Sequence, residues 1–181
     1  MSSPATAPVQ QAVTELISME EYLRSTYHPD RDYVEGVLEE RNVGGFDHGT
    51  LQAMITAWFV NHRTEWNIRV ITEWRNRVSV TRVRIPDISV IARDAPRERV
   101  GLTPPLLCIE VRSPEDRPSR ILRVFEDYAQ MGVKNLWLVD PSDRTAMVYT
   151  EGGLKLFEGN RLTIEHTPIY LDLPEIFSAL D

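Results

Sequence analysis

The 181-residue chain has a single cysteine, and lysine is nearly as scarce: of 20 basic residues only Lys134 and Lys155 are lysine. One cysteine excludes an internal disulfide and any thiolate-rich zinc site. Cys108 lies in the apolar run Leu106-Leu107-Cys108-Ile109, the setting of a buried, inert thiol. No apolar stretch reaches the roughly 18 to 20 residues that span a bilayer. The N-terminus lacks the basic start and apolar core of a secretory signal. A cytoplasmic protein with no membrane partner is therefore expected. The pattern G-x-S-x-G does not occur, which removes the nucleophile elbow of serine hydrolases. The phosphate-cradling patterns G-x-x-x-x-G-K-S/T and G-x-G-x-x-G are absent as well.

What is present is the composition of a folded domain, 42% hydrophobic and 26% charged. The formal net charge of −7 argues against non-specific coating of nucleic acid. It leaves room for a nuclease, whose acidic site is neutralised by metal ions. Charge is uneven: residues 1–50 hold nine acids against three arginines. Residues 69–84 hold Arg69, Arg75, Arg77, Arg82 and Arg84 against Glu73 alone. That arginine-rich stretch is open to two readings, a phosphate-facing strip or a solvated face.

Residues 1–13 are rich in Ala, Pro, Gln and Ser and read as a disordered tail; residues 14–181 read as one domain. Ser18 and Glu21 have the capping-box spacing and start a short helix to about Ser25. Tyr33 to Asn42 reads as a strand or hairpin arm interrupted by Gly36. Asp47 to His62 reads as a helix, with Leu51, Met54, Ile55, Trp58 and Phe59 on one face. Period-2 patterns then give two strands joined near Arg75 and Asn76, a third from Arg84 to Ile91, and a fourth from Pro105 to Arg112. Pro118 to Met131 is an amphipathic helix with Arg120, Arg123 and Asp127 on its polar side and Gly132 as terminator. Asn135 to Val139 follows as a strand, completing a parallel crossover. Ala146–Thr150 and Leu154–Phe157 suggest a hairpin, Leu162–Glu165 a further strand, and Leu173–Leu180 a short helix. The order implies a mixed α/β (α+β) fold around one central sheet flanked by helices, with a β-rich C-terminal part.

Two acids interrupt apolar strands 23 positions apart, Asp87 in Ile85-Pro86-Asp87-Ile88 and Glu110 in Cys108-Ile109-Glu110-Val111. A carboxylate so placed needs a partner, because an unpaired buried charge is costly. Two partners are available to the pair. One is a shared divalent cation, since magnesium takes one or two carboxylates together with water and phosphate oxygens. The other is the chain's many arginines.

Pro-Asp on one strand and Glu-x-basic on the next resemble the P-D…(D/E)-x-K nucleases of the restriction-endonuclease-like fold. The chain is similar, more specifically, to the Uma2 family of restriction-endonuclease-type proteins, over roughly residues 17 to 175. The likeness rests on Tyr33-Val34-Glu35-Gly36-Val37-Leu38, on His48 at the start of a helix, and on Pro86-Asp87. It continues in Ile109-Glu110-Val111-x-Ser113-Pro114 and in Tyr128-x3-Gly132-Val133-x3-Trp137-Leu138-Val139-Asp140-Pro141.

The resemblance implies a Mg2+- or Mn2+-dependent endonuclease acting on DNA. Asp87, Glu110 and the Val111 carbonyl would hold the metal, and Glu35 would be an assisting acid from the first strand. The chain departs from the pattern at the lysine: two residues after Glu110 stands Arg112, and the helix position four before Tyr128 is Val124. Arg112, Arg120 and Arg123 are the cationic candidates, although arginine is a poor base. His48 is either a core or helix-capping residue or a group at the site mouth. A homodimer would suit duplex cutting. The alternative to an enzyme is a nuclease-like fold kept as a nucleic-acid or protein interaction module.

Overall fold

The structure is a computed structural model describing residues 16–42 and 44–181; the expected tail, residues 1–13, lies outside the described residues. The chain opens with helix α1 (Met19–Arg24), where the Ser18 hydroxyl accepts from the Glu21 N–H at 3.1 Å. Strands β1 (Asp32–Val34) and β2 (Val37–Glu39) form a tight hairpin. Its two-residue turn needs positive φ at both positions, and Glu35 (φ 52°) and Gly36 (φ 92°) supply it. Helix α2 (Phe46–His62) buries Leu51, Ile55 and Phe59 at helical spacing.

Next come β3 (Ile68–Thr72), β4 (Asn76–Ser79), β5 (Arg82–Arg84), β6 (Ile88–Ala92) and β7 (Leu107–Val111). Helix α3 (Pro118–Met131) ends on Gly132 at φ 103°, the left-handed stop expected of that glycine. Strands β8 (Asn135–Asp140), β9 (Thr145–Thr150) and β10 (Gly153–Leu156) precede a small pair, β11 (Arg161–Thr163) and β12 (Tyr170–Asp172). Helix α4 (Leu173–Phe177) and a 3-10 turn, Ser178–Leu180, close the chain. No helix among the described residues is long and apolar enough to cross a membrane.

Six strands form the central sheet in the order β10-β9-β8-β7-β6-β3, and four form a smaller sheet, β2-β1-β5-β4. Among the described strands only β7 and β8 pair in parallel, joined through α3 as the strand–helix–strand pattern requires. Alternation along the central strands sorts side chains between two layers. Leu107, Ile109 and Val111 of β7 join Trp137 and Val139 of β8 in the core that also holds Leu51, Ile55 and Phe59 of α2. Cys108, Leu136 and Leu138 point the other way, into the core with Ile121, Val124, Phe125 and Tyr128 of α3.

Two sequence expectations are corrected. Strands β3 and β4 do not pair with each other: β3 pairs with β6 in the central sheet and β4 with β5 in the small one. The continuous strand expected from Arg84 to Ile91 is two strands in two sheets, broken at Pro86, which has no N–H to carry a ladder onward. Asp127, expected on the polar side of its helix, is buried there, bonded by Arg84 Nε at 2.7 Å and Arg82 at 2.8 Å.

The arginine-rich stretch is neither a phosphate strip nor a solvated face throughout. Arg84 is fully buried and also reaches Asp32 at 2.9 Å and Glu39 at 2.7 Å. Arg75 is clasped by Asp30 and lies over the Tyr22 ring, 4.4 Å from its centroid.

Candidate active site

The break at Pro86 leaves Asp87 at the seam between the two sheets, one residue before β6. Strand β6 runs antiparallel to β7, with Ile88 opposite Ile109 and Ser89 opposite Cys108. One further step in that register sets Asp87 against Glu110. By the same alternation both belong to the α3 side of the sheet, with Ser89 and Cys108. Asp87 and Glu110 accordingly line one polar pocket of about 40 Å³, together with Val111, Ser113, Asp116, Arg41, Asn42, His48 and Arg120. That pocket shares Arg41, Asn42, His48 and Asp87 with a wider cleft of about 500 Å³, whose far side is Thr26 to Asp30.

Asp87 is buried and fully engaged. Its Oδ2 accepts from the Val111 N–H at 2.8 Å and lies 3.2 Å from His48 Nε2; its Oδ1 accepts from Arg41 at 2.8 Å. Burial opposes its charge. The His48 hydrogen bond, the Arg41 guanidinium and the Val111 N–H outweigh burial and hold the carboxyl below its ordinary range. His48 answers in kind: burial opposes its protonation, but the hydrogen bond to Asp87 prevails and lifts the imidazole above its ordinary value.

Glu110 is in the opposite condition. Its Oε1 accepts from the Tyr128 hydroxyl at 2.6 Å, its one side-chain partner among the described residues. Burial, and then the charge of Asp87, push its carboxyl well above the usual range; Arg41 and the Tyr128 hydroxyl only partly offset them. Burial and the charge of Glu110 likewise keep the Tyr128 phenol protonated. One acid is thus charged and satisfied, and the other is short of positive charge.

Of the remaining sequence candidates, Arg120 alone lines the acid pocket. Glu35 sits in the β1–β2 turn with its side chain 61% exposed and pairs with Arg82 at 2.6 Å; it lines neither the pocket nor the cleft. Its conformation answers to the hairpin turn, not to the acid pair. Arg112, two residues past Glu110, lies just beyond the end of β7 and pairs with Asp140 at 2.6 Å. It lines a separate, largely apolar groove with Leu122 and Leu154. Arg120 does reach the acid pocket, yet it is held by Asp32 at 3.0 Å. Arg123 is exposed.

Three residues of this site, Arg41, Asn42 and Asp116, were not singled out from sequence. Asp116 follows β7 by five positions and is fixed by the Ser113 N–H at 2.8 Å. Arg41 follows β2 and carries a charge reinforced by Asp87, Glu110 and Asp32, against the opposing effect of its burial. None of the three stands in a local pattern that sets it apart from other residues of its type. Among the described residues no group of three or more His, Cys, Asp or Glu is arranged to hold a metal ion.

A family model described as "Putative restriction endonuclease", Uma2, matches residues 19–178. In structure the chain is similar to a crystal structure titled as a "putative nuclease belonging to DUF820" from Anabaena variabilis. That likeness has a TM-score of 0.77 at 22% identity and covers 91% of this chain and 99% of that one. It establishes the fold. A weaker likeness, TM-score 0.39 at 15% identity, is to the DrdV–DNA complex, covering 71% of this chain and 10% of that one. No curated protein matches.

Proposed function

Since the chain belongs to the Uma2 family, we propose that it is a divalent-metal-dependent endonuclease that hydrolyses DNA phosphodiester bonds, with Asp87 and Glu110 at the reacting centre. The observation that carries this reading is the convergence of two acids, from adjacent antiparallel strands, on one polar pocket at the foot of an open cleft. The donor set suits magnesium or manganese: two hard carboxylates, with a neighbouring backbone carbonyl at Val111 and room for water. The unmet charge on Glu110 supports the fit, because a pair that repels its own ionisation is a pair a dication would stabilise. When bound, such an ion lowers the pKa of water and stabilises developing negative charge on phosphate oxygens.

The chain's own residues have distinct duties in this reading. Asp87 stays ionised because His48, Arg41 and the Val111 N–H hold it so, and it is the pre-formed ligand. Glu110 would be the second carboxylate ligand, and Tyr128 fixes its side chain against α3. His48 orients Asp87 from the first turn of α2. Arg41 and Arg120 are the guanidinium groups on the pocket wall that face an incoming phosphate.

Purified protein is expected to nick supercoiled plasmid with MnCl2. Asp87→Ala and Glu110→Ala should each lower the rate at least about a hundredfold, the scale of losing a principal electrostatic contributor. Full activity in either variant refutes the assignment.

A second reading, a nuclease-shaped interaction module that does not hydrolyse, is favoured by one observation: Arg41 already neutralises Asp87. Calorimetric titration with MnCl2 separates the two. Binding that requires both acids favours the enzyme, and absence of binding favours the module.

A further inference from the structure

Arg41 occupies an unusual place. Its guanidinium is mostly buried, 2.8 Å from Asp87 Oδ1, and it lines both the acid pocket and the cleft. The next residue, Asn42, donates to Asp116 Oδ1 at 2.7 Å on the loop beyond β7. Two consecutive residues thus grip acids from two different loops and lay the chain across the acid pocket as a strap. The other cations nearby are committed away from the acid pair, Arg120 to Asp32 and Arg112 to Asp140. Arg41 alone among the described arginines bonds either Asp87 or Glu110.

A guanidinium and a divalent ion that draw on the same carboxylate oxygen compete by charge as well as by space. A single positive charge beside a dication at low effective dielectric is strongly unfavourable. We infer that Arg41 is the resident counter-ion of the acid pair: it holds Asp87 in the ion-free protein and yields Oδ1 to a divalent cation. It then turns its guanidinium to the cleft, where it receives the phosphate of the nucleic-acid backbone. The inference rests on the proposed metal site and adds to it a residue with two opposed effects. Arg41 weakens ion binding and strengthens phosphate binding.

The opposition is what makes it testable. Calorimetry with MnCl2 alone is run on the wild type, Arg41→Gln and Arg41→Lys, and duplex affinity is measured with a hydrolysis-resistant phosphorothioate oligonucleotide in MgCl2. Arg41→Gln should bind Mn2+ about ten- to a hundredfold more tightly, in the range of ordinary coupling between two ligands. It should bind the duplex at least about fivefold more weakly. Arg41→Lys, which keeps the charge, should stay within about threefold of the wild type for Mn2+.

Unchanged or weaker Mn2+ binding by Arg41→Gln overturns the inference while leaving the metal site standing. Tighter Mn2+ binding with unaltered duplex affinity overturns it as well. If neither the wild type nor Arg41→Gln binds Mn2+, the metal reading itself fails.

Should Arg41→Gln not fold, the wild type decides the matter. The Arg41 Nε–H resonance, assigned by its absence in Arg41→Lys, should move on addition of MgCl2 as the contact with Asp87 is released. A resonance that stays fixed while those around β6 and β7 shift overturns the inference.

Discussion

Replacing Glu110 by Gln should make the metal-free protein more stable. Glu110 is the penultimate residue of central strand β7, between buried Ile109 and Val111, with one hydroxyl donor at 2.6 Å and Asp87 across the ladder. Gln keeps an oxygen for Tyr128 and removes the charge. An incompletely satisfied buried group costs about 1–3 kcal/mol, and in a domain of this size each kcal/mol moves Tm by about 2–4 °C. In EDTA at pH 8, Glu110→Gln should therefore melt roughly 2–12 °C above the wild type.

The dependence on pH has a definite sign. A carboxyl whose pKa is raised by folding binds its proton more tightly in the native state. Its contribution is fully present below the ordinary glutamate value of 4.5 and is lost as pH climbs through the folded value. The gap between the two proteins should thus close towards pH 4.5 and widen above it. Asp87 has the opposite sign: its pKa is lowered on folding, so its contribution is lost only as pH falls below the ordinary 3.8, outside this window. Differential scanning calorimetry at several pH values provides the measurement. A lower Tm for Glu110→Gln at pH 8, or an offset independent of pH, would refute the account of Glu110 as a carboxyl lacking compensation. Added MnCl2 should reverse the order by stabilising the wild type alone, about 2.7 kcal/mol at a hundred times Kd.

Arg84→Met removes the guanidinium that joins Asp32, Glu39 and Asp127 in the interior. It should cost about 3–5 kcal/mol in urea unfolding, since three acids lose a shared partner; a loss below about 1 kcal/mol would mean that Arg82 and Arg120 take over. Arg112→Ala should leave Mn2+ affinity within about twofold of the wild type, because Arg112 serves Asp140 and a different groove; a larger effect restores it to the acid site. Gly132→Ala forces a side chain into φ 103° with Pro104 Cγ 3.3 Å from the new Cβ. It should lose about 1–3 kcal/mol in the same urea assay, and a neutral result would mean that the end of α3 relaxes.

Much of the architecture was legible because local signals agreed with the global fold. The amphipathic run of α3 with its terminal glycine, the apolar β7 and the capping box at Ser18 each fix an element independently. The acids were legible for the same reason, as charged interruptions of apolar strands. What escaped was pairing. Nothing in Ile68–Ser79 distinguishes a hairpin from two strands entering separate sheets, because both present the same alternation. Asp127 reads only as one member of a polar helix side until Arg82 and Arg84 arrive from strands over 40 positions away. Arg41 is one of 18 arginines and acquires its role from three acids contributed by other elements. Glu35 illustrates the converse: a local motif, Glu-Gly between two short strands, carries turn geometry as readily as chemistry.

The seam at Pro86 has a wider consequence. Asp87 belongs to the boundary of two sheets, three residues from the arginine that ties the smaller one together, whereas Glu110 is embedded wholly in the larger. The spacing of the two acids therefore reports the alignment of one sheet upon the other. On the proposed metal site, changes confined to the smaller sheet, far from any reacting atom, should register first as altered ion affinity and only later as unfolding.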